Sequence, residues 1–430
     1  MSTNISIGLA GIGVVGEGVI KMLDERQDEI NLRCNKNIVI KAVSAKNKDK
    51  RRSINLSKFK WYDNAVEMAS DNNIDVIVEL IGGSDGPAFE LAKSTITNKK
   101  SLVTANKAML AIHGDELSNL AEKHNVSLNY EAAVAGGIPI VKTIRESLSG
   151  NKIEKVYGIL NGTSNYILTK MEDASSSFKD VLSEAQKKGF AEQDPKNDID
   201  GIDSAHKISI LTSIAFGSMI DFKNVYVEGI RKIESIDILY ARELGYRIKL
   251  LSISTLNQGG IQQRVHPCMV SLQSSIAKVD GPYNAVVLEG KLIGKTFYEG
   301  LGAGQGPTAS SVVSDLIDVA QGKILPPFGL AEKNRKKIKH IAIEGLESAY
   351  YLRLNVLDKP GVLADLSSIL AKEGISIEKV IQRDLINNNC VSIVMLMHET
   401  KELNMMNAVN SIKQMTSVKD EPVMIRLENV

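Results

Sequence analysis

A glycine-rich turn close to the N-terminus constrains the fold of this chain more than any other feature. Residues 5–10 form an apolar, strand-like run that leads into Gly-Ile-Gly-Val-Val-Gly at 11–16 and then into the apolar start of a helix. Further strand-like runs, separated by helical stretches, lie at 38–44, 75–81, 101–104 and 127–130. Strands that alternate with helices in this way predict a doubly wound α/β sheet of the Rossmann type over residues 1–135.

The glycine spacing predicts a dinucleotide cofactor, because a Gly-x-Gly-x-x-Gly turn between a strand and a helix binds a pyrophosphate. Gly11 is expected to make the tight turn, Gly13 to let the backbone approach the pyrophosphate, and Gly16 to let helix and strand pack closely. Val14 and Val15 begin the helix, whose N-terminal N–H groups and positive dipole end favour the phosphates. The sequence therefore predicts NAD(H) or NADP(H) as cofactor.

The end of the second strand favours NADP(H). NAD-specific sites usually place Asp or Glu there to bind the ribose 2′-hydroxyl. This chain instead has a cluster of cationic side chains there. Such a cluster attracts a 2′-phosphate, and Lys46 is the best single candidate for that contact. The cluster comprises Lys46, Lys48, Lys50, Arg51 and Arg52. The alternative is a solvated loop without a specific partner, and Asp49 is the nearby acid that would support NAD(H).

The pattern changes after residue 135. Residues 136–305 mix helices with strand-like runs at 155–160 and 285–288, which predicts an α+β domain built on a second sheet. A helical stretch at 306–322 is expected to return to the first domain.

The C-terminal part of the chain reads as a separate unit. Residues 323–348 contain two prolines and a basic run, which is typical of a linker. Residues 349–430 follow the order strand, helix, strand, strand, helix, strand, and this βαββαβ order predicts a ferredoxin-like domain.

The composition is that of a globular protein, with 43% hydrophobic and 24% charged residues and a formal net charge of +1. A near-neutral chain has no global field that attracts nucleic acid or an anionic membrane. Cys34, Cys268 and Cys390 lie far apart and form no C-x-x-C pair, so neither a disulfide framework nor a zinc site is predicted. The chain shows neither a signal-peptide pattern nor an apolar run of the roughly 20 residues that cross a bilayer. A cytoplasmic enzyme without nucleic-acid or membrane partners is expected.

The densest polar segment spans residues 189–207 and ends in a predicted helix. Asp203 and Lys207 are four residues apart and therefore share a face of that helix. The ordinary interpretation is a surface ion pair, but the apolar continuation at 208–216 indicates a buried helix. His206 lies about 100° around the helix from Lys207 and is expected to be a packing residue. Because the histidines and cysteines show no metal-ligand spacing, a lysine is the predicted proton donor for a hydride-transfer reaction.

At this point the chain resembles the homoserine dehydrogenase family. The family's A-E-x-D-P loop followed by D-x-x-G-x-D-x-A-x-K is matched at 191–207. Thr-Ala-Asn-Lys at 104–107, Asn-Gly-Thr-Ser-Asn-Tyr-Ile-Leu at 161–168 and the glycine-rich stretch at 302–310 agree with it in the same order. The tail resembles an ACT domain through Asp-Lys-Pro-Gly-Val-Leu at 358–363. One departure is Lys46, where the family often has arginine.

The resemblance implies that the α+β domain at 136–305 serves substrate binding, catalysis and dimerisation. It also implies roles for individual residues. Lys207 would protonate the aldehyde oxygen and act as base in reverse, and Lys107 would lie by substrate and nicotinamide. Two ammonium groups at one carbonyl are expected to lower each other's pKa. The implied substrate residues are Glu192, Asp203, Thr163 and Asn161, and the implied cofactor residues beyond the glycine turn and Lys46 are Thr104, Lys107, Gly189 and Gly304.

The segment after residue 130 resembles the family's monovalent-cation loop. Glu131, Val134, Gly136 and Ile138 would offer oxygen atoms, chiefly backbone carbonyls, to sodium or potassium, which are hard cations. The alternative is a glycine-rich hinge between domains.

The expected function is NADP(H)-dependent interconversion of L-homoserine and L-aspartate 4-semialdehyde in threonine, methionine and isoleucine biosynthesis. Threonine is the expected effector at the ACT-like tail, and a homodimer or homotetramer is expected because such domains pair. One rival is an amino-acid sensor with a silent dehydrogenase domain, against which intact Glu192, Asp203 and Lys207 argue. A closer rival is another amino-acid dehydrogenase of similar build.

Overall fold

The N-terminal domain has the predicted alternation of strands and helices. The computed structural model describes residues 4–174, 176–382 and 390–430. The strands of this domain are β1 Asn4–Ala10, β2 Asn37–Ser44, β3 Lys60–Tyr62, β4 Val76–Glu79, β5 Ser101–Thr104 and β6 Leu128–Asn129. Its helices are α1 Val14–Glu25, α2 Gln27–Cys34, α3 Pro87–Thr97 and α4 Lys107–His124.

These strands form a parallel sheet in the order β3-β2-β1-β4-β5-β6. The prediction of a doubly wound Rossmann sheet is confirmed. The strand predicted at 75–81 is shorter than expected, because the Ile81 N–H bonds to the Glu79 carboxylate at 2.7 Å and turns the chain out of the sheet. The carboxyl ends of β1, β4 and β5 meet at one edge, which is where ligands bind in open α/β sheets.

The second domain is built on an antiparallel sheet in the order β12-β11-β7-β9-β10. Its strands are β7 Ile153–Ile159, β8 Tyr226–Val227, β9 Tyr246–Asn257, β10 Gly260–Ser271, β11 Tyr283–Gly290 and β12 Gly294–Leu301. Its helices are α5 Ile140–Lys142, α6 Gly162–Ala174, α7 Phe178–Lys187, α8 Lys196–Ile199, α9 Ile202–Phe216 and α10 Ser235–Glu243. Helix α11, Gln305–Ala320, then packs against α1, as the predicted returning helix requires.

Short helical turns complete this part of the chain. The 3₁₀ turns are Ala65–Ser70, Glu131–Ala133, Phe222–Asn224, Ile276–Lys278, Glu332–Asn334 and Ile343–Gly345, and one π-helical turn spans Thr143–Ser147. No helix in the described ranges has both the length and the apolar character that a membrane span needs.

The C-terminal domain follows the predicted βαββαβ order. Its elements are β13 Glu347–Leu357, α12 Val362–Lys372, β14 Ile377–Gln382, β15 Cys390–Lys401, α13 Glu402–Lys413 and β16 Val423–Glu428. The strands lie in the order β16-β13-β15-β14, and β16 runs parallel to β10, so this sheet continues the sheet of the second domain.

The face of this C-terminal sheet that its own helices leave uncovered packs on the second domain. The Tyr351 hydroxyl donates to Asp237 at 2.9 Å, and Arg353 Nε donates to the same buried carboxylate at 2.6 Å. Asp237 belongs to α10, so two buried side chains of β13 fasten the C-terminal domain to that helix.

The segment expected to be a linker is extended and tightly packed. We call residues 326–341 the strap. The Tyr130 hydroxyl donates to the Pro327 carbonyl at 2.7 Å, Phe328 is fully buried, and the Ile261 N–H donates to the Lys339 carbonyl at 2.9 Å. The lysines of the basic run face solvent, but Arg335 within it is buried. Composition suggested a solvated connection, whereas long-range packing holds the strap on both large domains.

Candidate active site

The glycine turn has the geometry that a dinucleotide-binding loop needs. Gly11 has φ +101°, and a Cβ there would lie 2.4 Å from the Leu80 carbonyl oxygen. A Cβ at Gly16 would lie 2.2 Å from the Gly11 carbonyl oxygen, so any side chain there would push helix and strand apart. Gly13 precedes α1, and the space where its Cβ would lie is open. The turn is therefore closed on the protein side and open where a pyrophosphate would approach.

Helix α11 brings the second glycine segment next to this turn. Gly304 has φ +118° and precedes Gln305, whose Nε2 donates to the Val14 carbonyl at 3.0 Å. Gly304, predicted as a cofactor residue, thus lies one residue from a direct contact with the first turn of α1.

The cationic side chains of the loop after β2 differ in their surroundings. Lys46 is exposed. Arg52 instead turns inward, where its Nε donates to the Ile12 carbonyl at 3.2 Å and its Nη2 donates to the Asn47 carbonyl at 2.7 Å. Arg52 therefore ties the loop to the glycine turn, and Lys46 keeps the exposure that a contact with a 2′-phosphate requires.

A buried carboxylate at the sheet edge had no clear signal in the sequence. Glu79 ends β4, is fully buried and accepts hydrogen bonds from the Thr104 hydroxyl at 2.6 Å and from the Ile81 N–H. The Thr104 hydroxyl also accepts the Asn106 N–H at 3.0 Å. Thr104, predicted as a cofactor residue, thus uses its side chain to shape the turn before Lys107. An acid at the end of a buried parallel strand was the only available hint.

A cleft of about 290 Å³ opens at the same edge, between the first and second domains. One wall is formed by the loops after β4 and β5, and the other by the acidic loop and the start of α9. The lining residues are Gly82, Gly83, Ala105, Asn106, Lys107, Ala108, Glu192, Asp194, Asn197, Asp198, Asp203 and His206. The acidic segment and Lys107, which lie far apart in the sequence, are thus brought together.

Asp203 is the centre of this cleft. It lies in the first turn of α9, where the helix dipole favours a carboxylate. Its Oδ2 accepts from Lys207 Nζ at 2.7 Å, and its Oδ1 lies 3.2 Å from Lys107 Nζ. Lys207 Nζ also donates to the Leu160 carbonyl at 2.6 Å. The Lys207 side chain is 9% exposed and that of Lys107 is 42% exposed, so Lys207 lies behind the carboxylate and Lys107 lies at the cleft.

The charges of this cluster favour the ionised forms of Asp203 and Lys107. Burial alone would raise the pKa of Asp203, but the ammonium groups of Lys207 and Lys107 outweigh it and hold that pKa below its usual range. The carboxylate of Asp203 in turn raises the pKa of Lys107. The expectation that the paired lysines lower each other's pKa is therefore wrong for Lys107, because Asp203 lies between them.

The side chains of Asn161 and Thr163 form hydrogen bonds with other groups of the protein. Asn161 Nδ2 donates to Asp198 at 2.7 Å and to Asp203 at 2.9 Å, while its Oδ1 accepts the Ser164 N–H. The Thr163 hydroxyl donates to the Phe190 carbonyl at 2.8 Å. Asn161 thus orients two carboxylates of the cleft, and burial together with Asp203 raises the pKa of Asp198.

The remaining predicted residues divide between the cleft and its surroundings. Glu192 lines the cleft with an exposed side chain, whereas Gly189 is exposed in the turn after α7 and is not among the lining residues. His206 packs on Phe222, with ring centroids 4.4 Å apart, as a packing residue should. It also lines the cleft, and burial lowers its pKa.

The loop predicted to hold a cation lies at the hinge between the two large domains. The buried Glu131 carboxylate accepts the N–H groups of Val141 at 2.9 Å and Lys142 at 2.8 Å. Burial, and then the nearby Asp315, raise the pKa of Glu131 to about 7.

The backbone of this loop is compatible with a hard cation. Val134 and Ile138 are buried, and the Gly136 carbonyl accepts the Ser311 hydroxyl at 2.7 Å. Each carbonyl has a second lone pair. Carbonyl oxygens are donors that suit a hard monovalent cation, and the buried carboxylate of the same segment would balance its charge.

A dinucleotide-binding sheet with a lysine–carboxylate cluster at its carboxyl edge defines a nicotinamide-dependent oxidoreductase. The family model for the NAD-binding domain of homoserine dehydrogenase matches residues 11–131, that for the homoserine dehydrogenase catalytic domain matches 139–317, and the ACT domain model matches 350–414. A homoserine dehydrogenase of Neisseria gonorrhoeae is 42% identical over 432 residues, 99% of each chain. The chain therefore belongs to the homoserine dehydrogenase family, whose members are NAD(P)-dependent oxidoreductases acting on a CH–OH group, and it carries a C-terminal ACT domain.

One solved structure agrees over the whole chain, and a second agrees over three quarters of it. A homoserine dehydrogenase from Thiobacillus denitrificans has a TM-score of 0.93 at 42% identity, covering 100% of this chain and 99% of that one. A hyperthermophilic archaeal homoserine dehydrogenase in complex with NADPH has a TM-score of 0.64 at 25% identity, covering 75% of this chain and 99% of that one.

Proposed function

We propose that this chain interconverts L-homoserine and L-aspartate 4-semialdehyde with NADP(H), and that Lys207 transfers the proton. The observation that carries the proposal is the shared carboxylate of Asp203, which holds two ammonium groups at a cleft beside a dinucleotide-binding turn. NADP(H), when bound, supplies or accepts the hydride. An alkoxide that develops at the aldehyde oxygen needs a proton and positive charge nearby, and the lysine pair provides both.

Two hydrogen bonds hold the Lys207 ammonium group in place. Two of the three ammonium hydrogens are directed to the Leu160 carbonyl and to Asp203. This fixes the nitrogen atom and leaves the third hydrogen for the substrate oxygen. Lys107, at the first position of α4, lies on the cofactor side of the same carboxylate and stabilises the developing charge.

The acidic side of the cleft selects the amino group of the substrate. Glu192 lines the cleft with an exposed carboxylate, and Asp198 lies beside Asp203. Asp203 is already shared by two lysines, so Glu192 makes the main contact with the substrate ammonium and Asp203 contributes by its field. Asn161 acts as a positioning residue for Asp198 and Asp203.

The preference for NADP(H) rests on the loop after β2. Lys46 is exposed at the strand end, while Arg52 holds the loop against the glycine turn. Lys46→Ala should raise the KM for NADPH about tenfold, since a charge-assisted hydrogen bond contributes about 1.5–3 kcal/mol, and should change the KM for NADH little. The exposed Lys41→Ala on β2 is the matched control.

The wild-type protein, assayed at 340 nm with homoserine and each oxidised cofactor, should turn over faster with NADP⁺. A preference for NAD⁺ would overturn the cofactor assignment. Absence of turnover with either cofactor would instead support the silent sensor, and a substrate panel distinguishes other amino-acid dehydrogenases.

The cation loop and the oligomer complete the proposed assignment. Glu131, Val134, Gly136 and Ile138 would hold sodium or potassium at the hinge. The chain would assemble as a homodimer or homotetramer in the cytoplasm. Sedimentation of the purified chain tests the assembly, and a monomer at micromolar concentration would contradict it.

The ACT domain is proposed to bind threonine, which would regulate the enzyme within threonine, methionine and isoleucine biosynthesis. Truncation is a poor test, because it would expose Asp237 and the paired edge of β10. Thermal shifts and inhibition curves of the full chain with threonine, methionine, isoleucine and lysine are better. Only threonine should raise the melting temperature and inhibit. A larger response to another amino acid would identify that amino acid as the effector. If none of the four produced a response, the proposal of an amino-acid effector would be wrong.

A further inference from the structure

We propose that Arg335, in the strap, is a positioning residue for the reaction, because it clamps the two helices that carry Lys107 and Lys207 into one alignment. The proposal rests on the proposed roles of these two lysines. Arg335 lies in the segment that leads to the ACT domain, 122 residues from Ser213 on the helix of Lys207 and 220 residues from Asp115 on the helix of Lys107.

The guanidinium of Arg335 joins both helices directly. Its Nη2 lies 2.5 Å from Asp115 Oδ1 on α4 and 2.7 Å from Ser213 Oγ on α9. The Ser218 carbonyl, just after α9, accepts from Nε at 3.1 Å and from Nη2 at 3.0 Å. The side chain has no solvent exposure. One rigid planar group thus fixes the C-terminal end of α9 against the middle of α4.

Packing around the clamp leaves little freedom. The Arg335 guanidinium carbon lies 4.4 Å from the centroid of the Phe328 ring, a distance at which cation–π attraction operates. A Cβ added at Gly114, next to Asp115, would lie 2.6 Å from Ile220 Cδ1 and 3.0 Å from the Phe328 ring. The missing side chain lets α4 approach the strap closely, and this packing holds the guanidinium in place.

The helices extend this alignment to the cleft. Asp115 lies eight residues beyond Lys107, about 12 Å along α4, and Ser213 lies six residues beyond Lys207, about 9 Å along α9. A tilt of roughly 5° at the clamp would displace the lysine ends by about 1 Å over these lengths. Since misplacement by about 1 Å can cost about 100-fold in rate, a group this far from the cleft can still control the chemistry.

Stability is a poor explanation for this ion pair, in which the guanidinium is fully buried and the Asp115 side chain is 27% exposed. Buried pairs are often no more stabilising than apolar replacements of the same volume, because both charges lose their hydration. A planar guanidinium that satisfies three partners at once is well suited to fixing an orientation. The geometry therefore assigns Arg335 to alignment of the lysine pair.

The test compares Arg335→Lys, Arg335→Gln and the paired neutral variant Arg335→Gln with Asp115→Asn. Each is measured for kcat, for KM of NADPH, and for the deuterium isotope effect with reduced cofactor labelled at the transferred hydrogen. Arg335→Lys should lower kcat about 10- to 100-fold with KM within about twofold. The isotope effect should increase, since misalignment slows hydride transfer itself. The neutral pair should fold better than Arg335→Gln yet show the same loss in kcat.

Two controls separate alignment from general destabilisation. Glu116→Gln changes the neighbouring position of α4, whose exposed pair with Lys93 should not affect the rate. Arg247→Gln removes a half-buried arginine pair, with Glu172 on α6, and should lower the melting temperature without raising the isotope effect.

Wild-type kcat and isotope effect in folded Arg335→Lys would overturn the alignment role and leave the proposed function standing. The alignment role would also be overturned if Arg247→Gln, at an equal drop in melting temperature, lowered kcat as much as Arg335→Lys does. If Lys207→Ala itself remained fully active, the proton-transfer role of Lys207 and the alignment role that rests on it would both be wrong.

Discussion

Two buried clusters of charge in this chain make opposite use of the same residue types. The cleft cluster consists of Asp203 between Lys107 and Lys207, and the hinge cluster consists of Glu131 and Asp315 with Lys142. Both bury carboxylates almost completely. In the cleft two ammonium groups keep the pKa of Asp203 low, whereas at the hinge burial and a second carboxylate raise the pKa of Glu131 to about 7.

Because both clusters are buried, the opposite pKa shifts of their carboxylates follow from the different ratio of cations to carboxylates in each cluster. Lys142 Nζ is shared by Asp315 at 3.2 Å and Asp318 at 2.5 Å, which leaves too little positive charge for Glu131. The cleft therefore holds a permanent ion cluster suited to proton transfer. The hinge holds a carboxylate whose raised pKa favours protonation, and the cation proposed for this loop would compete with that proton.

Removing Lys207 is expected to have the largest effect. Lys207→Ala should lower kcat about 1,000-fold, within the range of a lost general acid or base, and leave cofactor affinity nearly unchanged. Steady-state rates at 340 nm and cofactor titration by fluorescence measure the two quantities. Lys170→Ala, an exposed lysine on α6, is the control. Activity within tenfold of wild type would transfer the proton role to Lys107, whose side chain is more exposed.

Neutralising the centre of the cleft cluster should have the next largest effect. Asp203→Asn should lower kcat about 100-fold, at the low end of the range for general acid–base groups. It should also shift the alkaline limb of aldehyde reduction to lower pH. The shift follows because Asp203 raises the pKa of Lys107, so without the carboxylate that lysine loses its proton earlier. An unshifted limb in the pH–rate profile would contradict this coupling.

The hinge cluster should appear in the pH dependence of stability. Between pH 4.5 and about 7 the folded chain holds a proton on Glu131 that the unfolded chain releases. The free energy of unfolding should therefore fall by about 3 kcal/mol as pH rises through this window. In Glu131→Gln the decline should be smaller by about that amount, as measured by urea unfolding at several pH values. The exposed Glu90→Gln is the control and should keep the wild-type slope.

A monovalent cation should have the smallest effect. At about ten times its dissociation constant, sodium or potassium should stabilise the chain by about 1.4 kcal/mol at pH 8. The gain should shrink at pH 5.5, where a proton occupies Glu131, and disappear in Glu131→Gln. Tetramethylammonium chloride at equal ionic strength is the control. Equal stabilisation by both salts would refute a specific cation site.

Sequence reasoning succeeded where the relevant contacts are local. The turn at Gly11 follows from a strand, a glycine spacing and a helix in immediate succession, and the Asp203–Lys207 pair follows from one helical turn. It was less informative where the partner is distant. Thr104 and Asn161 hold other side chains in place, and Arg335 lies buried in a segment whose composition is typical of a solvated linker.

By itself the sequence determined the cofactor turn, the alternation of strands and helices in the first domain, the βαββαβ order of the third, and the helical face shared by Asp203 and Lys207. These depend on spacings of a few residues, which backbone geometry converts directly into distances. Only the tertiary structure decided that Lys107 meets Asp203 from another domain, that Glu131 is short of positive charge, and that Arg335 spans two helices. Such contacts and protonation states depend on burial and on neighbours up to 220 residues away, which no local pattern encodes.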